Sequence, residues 1–285
     1  MIGTSEGSVG AATPRVTKQS LGNRANFLLA LSGKSWFAVA AIGQAIFTLY
    51  IITIYGISLL GGNIEHWNTV SAHGYVPGDQ AGNIMMGMHV LLAAIVSIGG
   101  PLQLIPKMRR IAPRFHRWNG RIYILAAFII SLSGIYLIWV RGSVGGLIGA
   151  IATSTNGLFI LAFAIPTVRL AMAKKYQKHL PWAWRLFMVM SGVWFFRVGI
   201  MLWLLIWQRP VGFNPETFQG PFLSFLNFAQ FLLPLALVEV FFWVKKNGSQ
   251  KGKLALSAFY FVCALATAAG IFAATMGMWG PRMVG

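Results

Sequence analysis

Acidic residues are what this sequence has least of: five Asp and Glu stand against 23 Lys and Arg, and charged residues make up only 10% of the 285. A soluble domain carries about a quarter charged residues, so a conventional water-facing surface is excluded. The single cysteine, Cys263, rules out an internal disulfide, and no Cys-x-x-Cys-His run exists to attach haem covalently. A Gly-rich phosphate loop, a His-Glu-x-x-His run and paired intramembrane carboxylates are all missing. Their absence removes the usual constellations of hydrolases and phosphoryl transferases.

Apolar residues are what the chain has instead: 56% of it is hydrophobic and the mean hydropathy is +0.67. Apolar stretches lie near 36–60, 82–105, 121–140, 147–169, 185–207, 222–244 and 254–279. About 20 residues at ~1.5 Å rise cross a ~30 Å hydrocarbon core. The sequence therefore predicts an all-α polytopic bundle of seven transmembrane helices over 36–285. Residues 1–35 are polar and rich in Gly, Ser and Thr. They read as a flexible cytoplasmic tail and not as a cleavable signal.

Basic residues set the orientation. Arg24 and Lys34 precede the first span, Lys107 to Arg121 follow the second, Arg169 to Arg185 follow the fourth, and Lys245 to Lys253 follow the sixth. The alternate loops and the tail hold only Arg141, Arg209 and Arg282. The positive-inside rule then puts the N-terminus in the cytoplasm and the C-terminus outside a cell's inner membrane. The partners expected of this charge are the bilayer and its anionic headgroups on the cytoplasmic side, with no role in binding nucleic acid.

The two basic hairpin loops resemble one another. One carries His116, Arg117, Trp118 and Arg121, the other His179, Trp182 and Arg185, each with an Arg at the start of the following span. A weak parallel repeat of helical hairpins would produce this pattern, as would the general gathering of Trp and Arg at membrane interfaces.

Ionisable residues inside hydrocarbon are costly and mark candidate sites. They are His89 in the second span, Arg197 in the fifth and Glu239 in the sixth. Side chains lean toward the N-terminus of their own helix, so Arg197 and Glu239 lean toward each other, and a buried ion pair between them is expected. The alternative is that Arg197 faces a cavity and holds an anionic or carbonyl-bearing ligand such as a quinone headgroup. Met85, His89, Val96, Gly100 and Gln103 share one face of the second span, with Gly99-Gly100-Pro101 predicted to interrupt it.

A neutral imidazole suits axial haem ligation. For haem b the better pair is His116 with His179, since both sit at one level near the interface. The loop 61–81 holds Glu65, His66, Trp67, His73 and Asp79 at spacings that match no metal site, and reads as an interfacial turn with a Trp anchor.

Taken together, His89, Gly100-Pro101-x-Gln103, His116-Arg117-x-x-Gly120-Arg121-x-Tyr123, His179-x-x-Trp182-x-x-Arg185 and Arg197 form a pattern. It resembles the predicted membrane proteins called domain of unknown function 2306, over roughly residues 80–240. The resemblance implies a multi-pass bundle with no assigned biochemistry; the chain departs from the pattern at Ala183, where Met is usual, and at Pro234, where Asn is expected.

Three function classes follow. A membrane redox component binding quinone or haem draws on the His, Arg and Gln positions. A small-solute carrier or channel draws on 32 Gly and the intramembrane charges. An accessory subunit packed against another membrane protein draws on the Phe-rich sixth span and small residues. The first is preferred, because the internal polar residues concentrate in the second and fifth spans.

Overall fold

The computed structural model describes residues 18–71, 73–142 and 145–284. Among the described residues the regular structure is helical, with one isolated bridge between Asn214 and Gln219. The α-helices are α1 (Lys18–Ile51), α2 (Ile57–Leu60), α3 (Gln80–Leu104), α4 (Pro106–Ile111), α5 (Pro113–Val140) and α6 (Gly146–Met172). They continue as α7 (Tyr176–Met190), α8 (Gly192–Trp207), α9 (Pro221–Asn247), α10 (Gln250–Ala274) and α11 (Gly280–Val284). Six helical stretches are long and apolar enough to cross a bilayer; α7 and α8, bent by 53° at their junction, make a seventh if counted as one broken span. The predicted all-α multi-pass bundle is present.

Two local expectations fail. Residues 18–34, read as part of a flexible tail, are helical, and α1 begins at Lys18; residues 1–17 lie outside the described residues. The polar composition of this stretch conceals a stripe: Ala25, Leu29 and Ser32 are buried at spacings of four and three, which is one face of a helix. That face packs on α9 and α10. A Cβ at Gly33 would come within 3.0 Å of the Phe241 ring, and Lys253 Nζ donates to Asn26 Oδ1 at 2.9 Å.

The second failure concerns the helix break. α3 runs through Gly99-Gly100-Pro101 without interruption. Its glycines serve close approach instead. Gly99 O accepts from Asn119 Nδ2 at 2.9 Å, and a Cβ at Gly100 would lie 3.1 Å from the rings of Phe187 and Tyr123. The break falls at Ser191, between α7 and α8, inside the stretch read as one span over 185–207. Kinks favour Gly/Ser pairs. Here Ser191 Oγ donates to Phe187 O at 2.8 Å and accepts from Gln44 Nε2 at 2.8 Å. Gly192 follows, and a Cβ there would stand 2.8 Å from Asn156 Nδ2. The bend is therefore pinned by α1 on one side and α6 on the other.

The end of the bundle opposite the basic loops is closed by two π-helical segments, Ile52–Gly56 and Thr275–Trp279. Trp279 from the second is buried against Phe47 and Tyr50, with centroids 5.4 and 6.3 Å away. Within the first, Tyr55 O accepts from Trp67 Nε1 at 3.3 Å, which anchors the loop before α3. The rest of that loop hangs on Arg141 at the end of α5. Its guanidinium donates to Asp79 Oδ2 from Nε and Nη2 at 3.0 and 2.8 Å, to Asn83 Oδ1 at 2.7 Å and to His73 O at 3.0 Å.

Asp79 also caps α3, accepting from Gly82 N at 2.9 Å. The Gly82 amide first and Arg141 second hold its carboxyl below the ordinary value of 3.8. A depressed carboxylate contributes stability that is complete above its unfolded value and is lost as pH falls through the folded one. Amide protection at the start of α3 around Gly82, taken relative to the intrinsic exchange rate at each pH, should therefore fall on acidification below about pH 4, and Asp79→Asn should show that lower protection already at neutral pH.

Tight helix contacts depend on glycine at Gly270 of α10, where a Cβ would meet Val198 O at 2.7 Å and Val198 Cγ1 at 2.6 Å. Backbone cannot move aside as a side chain can. Gly270→Leu should cost about 1–3 kcal/mol, read as a lowered thermal transition in detergent.

Candidate ligand cavity

The bend at Ser191 opens a cavity of about 140 Å³ between α1, α3, α5, α6 and the α7/α8 pair. Space of that size takes roughly five to ten waters, or a ligand of about as many heavy atoms. His89 and Arg197, singled out by their charge chemistry, both line it. The walls add polar residues that the sequence pattern does not single out, Gln44, Ser131, Asn156 and Ser191 with Trp194, and also Tyr123 from the family-like pattern.

Arg197 has no carboxylate partner among the described residues. Asp79 is taken by Arg141 and Glu239 by Arg185, while Glu65 and Glu216 are exposed in loops. The expected Arg197 to Glu239 pair is absent; Arg185 Nε and Nη2 donate to Glu239 Oε1 and Oε2 at 2.5 and 2.9 Å. Depth decides between the two arginines. Twelve residues of helix separate Arg185 from Arg197, about 18 Å along an axis, and Glu239 lies level with the lower one. Leaning of side chains cannot span that offset.

The Arg197 guanidinium does lean back along α8, with Nη1 donating to Val193 O at 3.3 Å. Its Cζ stands 5.3 Å from the centre of the Phe47 ring. Tyr50, Tyr55 and Arg282 lie within its electrostatic reach. α8 itself starts at the cavity wall, and its N-cap residue Ser191 makes no side-chain cap. The positive end of the helix dipole adds to the charge of Arg197.

His89 is fixed from α5. Nδ1 lies 3.1 Å from Ile130 O and 3.2 Å from Ser133 Oγ. A carbonyl oxygen only accepts, so Nδ1 carries the proton and the neutral ring keeps its lone pair on Nε2. Nε2 makes no hydrogen bond among the described residues. A Cβ at Gly134 would come within 2.9 Å of the ring, so glycine at this position makes room for the imidazole.

Four further atoms are buried without a hydrogen-bond partner on residues that line the same cavity: Tyr123 Oη, Ser131 Oγ, Asn156 Oδ1 and Trp194 Nε1. These residues are only 7, 3, 4 and 2% exposed. Buried polar atoms are nearly always satisfied, and four unsatisfied ones on residues lining one space make it a candidate site for a polar occupant. All four lie within the apolar stretches visible in the sequence. Screening for charge overlooked Asn156 and Gln44, although uncharged amides in hydrocarbon carry a similar signal.

The remaining candidates do not reach the cavity. Gln103 Nε2 donates to His116 O at 2.9 Å, tying α3 to the first turn of α5. His116 and His179 lie within electrostatic reach of one another near the basic end; His179 Nδ1 is 2.9 Å from Thr167 O. Arg121 stands over Trp118 at 5.0 Å and Arg185 over Trp182 at 4.7 Å, so both hairpins repeat the same Trp-x-x-Arg contact. Arg117 is exposed. Beyond that contact the hairpins differ: α4 separates α3 from α5, α5 is unbroken over 28 residues, and α7 ends after 15. Among the described residues no group of three or more His, Cys, Asp or Glu gathers in a metal-holding arrangement.

The apolar spans define a multi-pass membrane protein. The model of the family described as predicted membrane protein, DUF2306, matches residues 86–219, the family that the spaced His, Arg, Trp and Gly positions resemble. No curated protein and no solved structure matches the chain. The matched segment runs from α3 to the loop after α8 and so contains His89, Asn156, Ser191 and Arg197.

Stability separates the two arginines. Arg185→Gln breaks a partly exposed pair and should cost under about 1 kcal/mol. Arg197→Gln removes a charge that no protein carboxylate balances, so the thermal transition of the ligand-free protein should hold or rise. A drop of several degrees would show Arg197 to be a packing residue.

Proposed function

We propose that this protein binds a small organic anion in the cavity at mid-bilayer, held by Arg197 at the start of α8. One observation carries this: a guanidinium with no carboxylate partner among the described residues lines one cavity together with four residues that each hold an unsatisfied buried polar atom. The donors dominate. Arg and the Trp indole can only donate, and the hydroxyls of Tyr123 and Ser131 can turn to do so, so the occupant must accept. A negative charge on it offsets the cost of holding Arg197 away from water. A quinone headgroup is the neutral occupant the same donors would take, and would make the protein a redox component. The bend between α7 and α8 favours the anion and a solute-carrying role, because broken helices present half-helix N-termini to anionic groups.

The protein's place is the inner membrane, with the basic end toward the cytoplasm, where the Trp118/Arg121 and Trp182/Arg185 pairs meet anionic headgroups. A second reading concerns the basic end itself: Nδ1 of His179 on Thr167 O leaves Nε2 for a metal, as second-shell bonds do, and His116 lies within its electrostatic reach. Haem b between them predicts α and Soret bands in a reduced-minus-oxidised spectrum, lost in His179→Ala.

Binding of benzoate and of its neutral isostere benzamide to the detergent-purified protein, followed by quenching of tryptophan fluorescence, tests the anion. Benzoate should bind at least tenfold more tightly, a charge-assisted bond of about 1.5–3 kcal/mol being at stake. Arg197→Gln should erase the difference. Equal affinity for the two compounds in the unaltered protein would overturn the proposal in favour of a neutral occupant.

A further inference from the structure

We infer that the bound anion also carries a hydrogen-bond donor, a hydroxyl or an amine, and that His89 reads it. This rests on the cavity binding an anion at Arg197. The inference comes from the acceptors in the wall. His89 Nδ1 spends its proton on Ile130 O, which orients the ring and leaves Nε2 as a lone pair on a residue that lines the cavity. Asn156 Oδ1 is buried with no donor to it, on a side chain 4% exposed. A simple carboxylate satisfies neither, because it only accepts.

An acceptor-only anion would therefore leave Nε2 and Oδ1 desolvated and unpaired. Such orphaned acceptors are costly. A hydroxy-carboxylate supplies what a simple acid lacks: its charge faces Arg197, Trp194 and the first turn of α8, and its one hydroxyl proton serves one of the two acceptors, His89 Nε2 or Asn156 Oδ1. Sites built to bond a substrate hydroxyl discriminate strongly against the analogue that lacks it. The device thus sets specificity, while Arg197 sets affinity.

His89 also stands where it can be positioned without strain. Ser133 Oγ donates to Ile129 O at 2.6 Å and lies 3.2 Å from His89 Nδ1, so α5 alone fixes the tautomer. About three turns further along α3 the small residues Gly99 and Gly100 bring that helix against α5 and α7. The same small-residue packing that joins the helices sets the depth of the imidazole.

The test compares benzoate with 3-hydroxybenzoate and 4-hydroxybenzoate by the same fluorescence titration. At least one hydroxylated acid should bind about tenfold more tightly than benzoate. His89→Leu should remove that gain, so that within this variant the hydroxylated acid binds no more tightly than benzoate. Asn156→Ala is the second variant, should His89→Leu fail to fold, and is expected to reduce the gain. Benzoate binding with no gain from either hydroxyl overturns this inference while leaving the anion site intact. A gain that survives both variants also overturns it. Loss of all binding, benzoate included, sinks the anion site itself and this inference with it.

Discussion

A guanidinium inside a bilayer needs a negative charge or water, and the rest of the bundle's interior is organised around supplying neither from its own carboxylates. Asp79 and Glu239 are committed at opposite ends of the molecule to Arg141 and Arg185. The cation–π contact with Phe47 at 5.3 Å and the bond to Val193 O position the head of Arg197 without neutralising it. What remains is an electropositive space whose deficit an occupant can fill.

The bend and the charge depend on each other. A continuous helix through Ser191 would direct its backbone dipoles into the next turn, and the cavity would lose the positive end of α8. Ser191 is instead drawn by Gln44 from α1, and Gly192 admits Asn156 from α6. Three helices far apart in sequence therefore agree on the break. Their agreement is the pattern expected where a local irregularity is supported by its surroundings.

Much of this was legible in advance, and the parts that were not have identifiable causes. Hydropathy and the distribution of Lys and Arg specify the spans because each rests on summed transfer energies over about 20 residues. The start of α1 was missed because a stripe formed by Ala25, Leu29 and Ser32 is small and partly polar, so composition masks its period. Placing the break at Gly99-Gly100-Pro101 weighed sequence punctuation above packing; in lipid a proline can stay within a helix when neighbours support it. The Arg197 to Glu239 pairing trusted side-chain lean over depth, and about 18 Å of helical rise outweighs any lean. His89 and Arg197 were found because charge in hydrocarbon is conspicuous, whereas Asn156 and Ser131 acquire meaning only when their lack of partners is seen.

The two ends of the molecule then have different work. At the basic end, Arg121 and Arg185 each lie over a tryptophan, a contact that holds a charge at an interface without burying it. At the opposite end, Arg141 is saturated by Asp79, Asn83 and backbone carbonyls, leaving no donor to attract a solute. Arg282, exposed on α11, is different: it lies within electrostatic reach of Arg197. Its charge adds to the field over that side of the cavity, and fields of this kind raise the local concentration of anions. The three basic residues that break the positive-inside pattern therefore differ in kind: Arg141 is spent on fastening a loop, while Arg209 and Arg282 stay exposed.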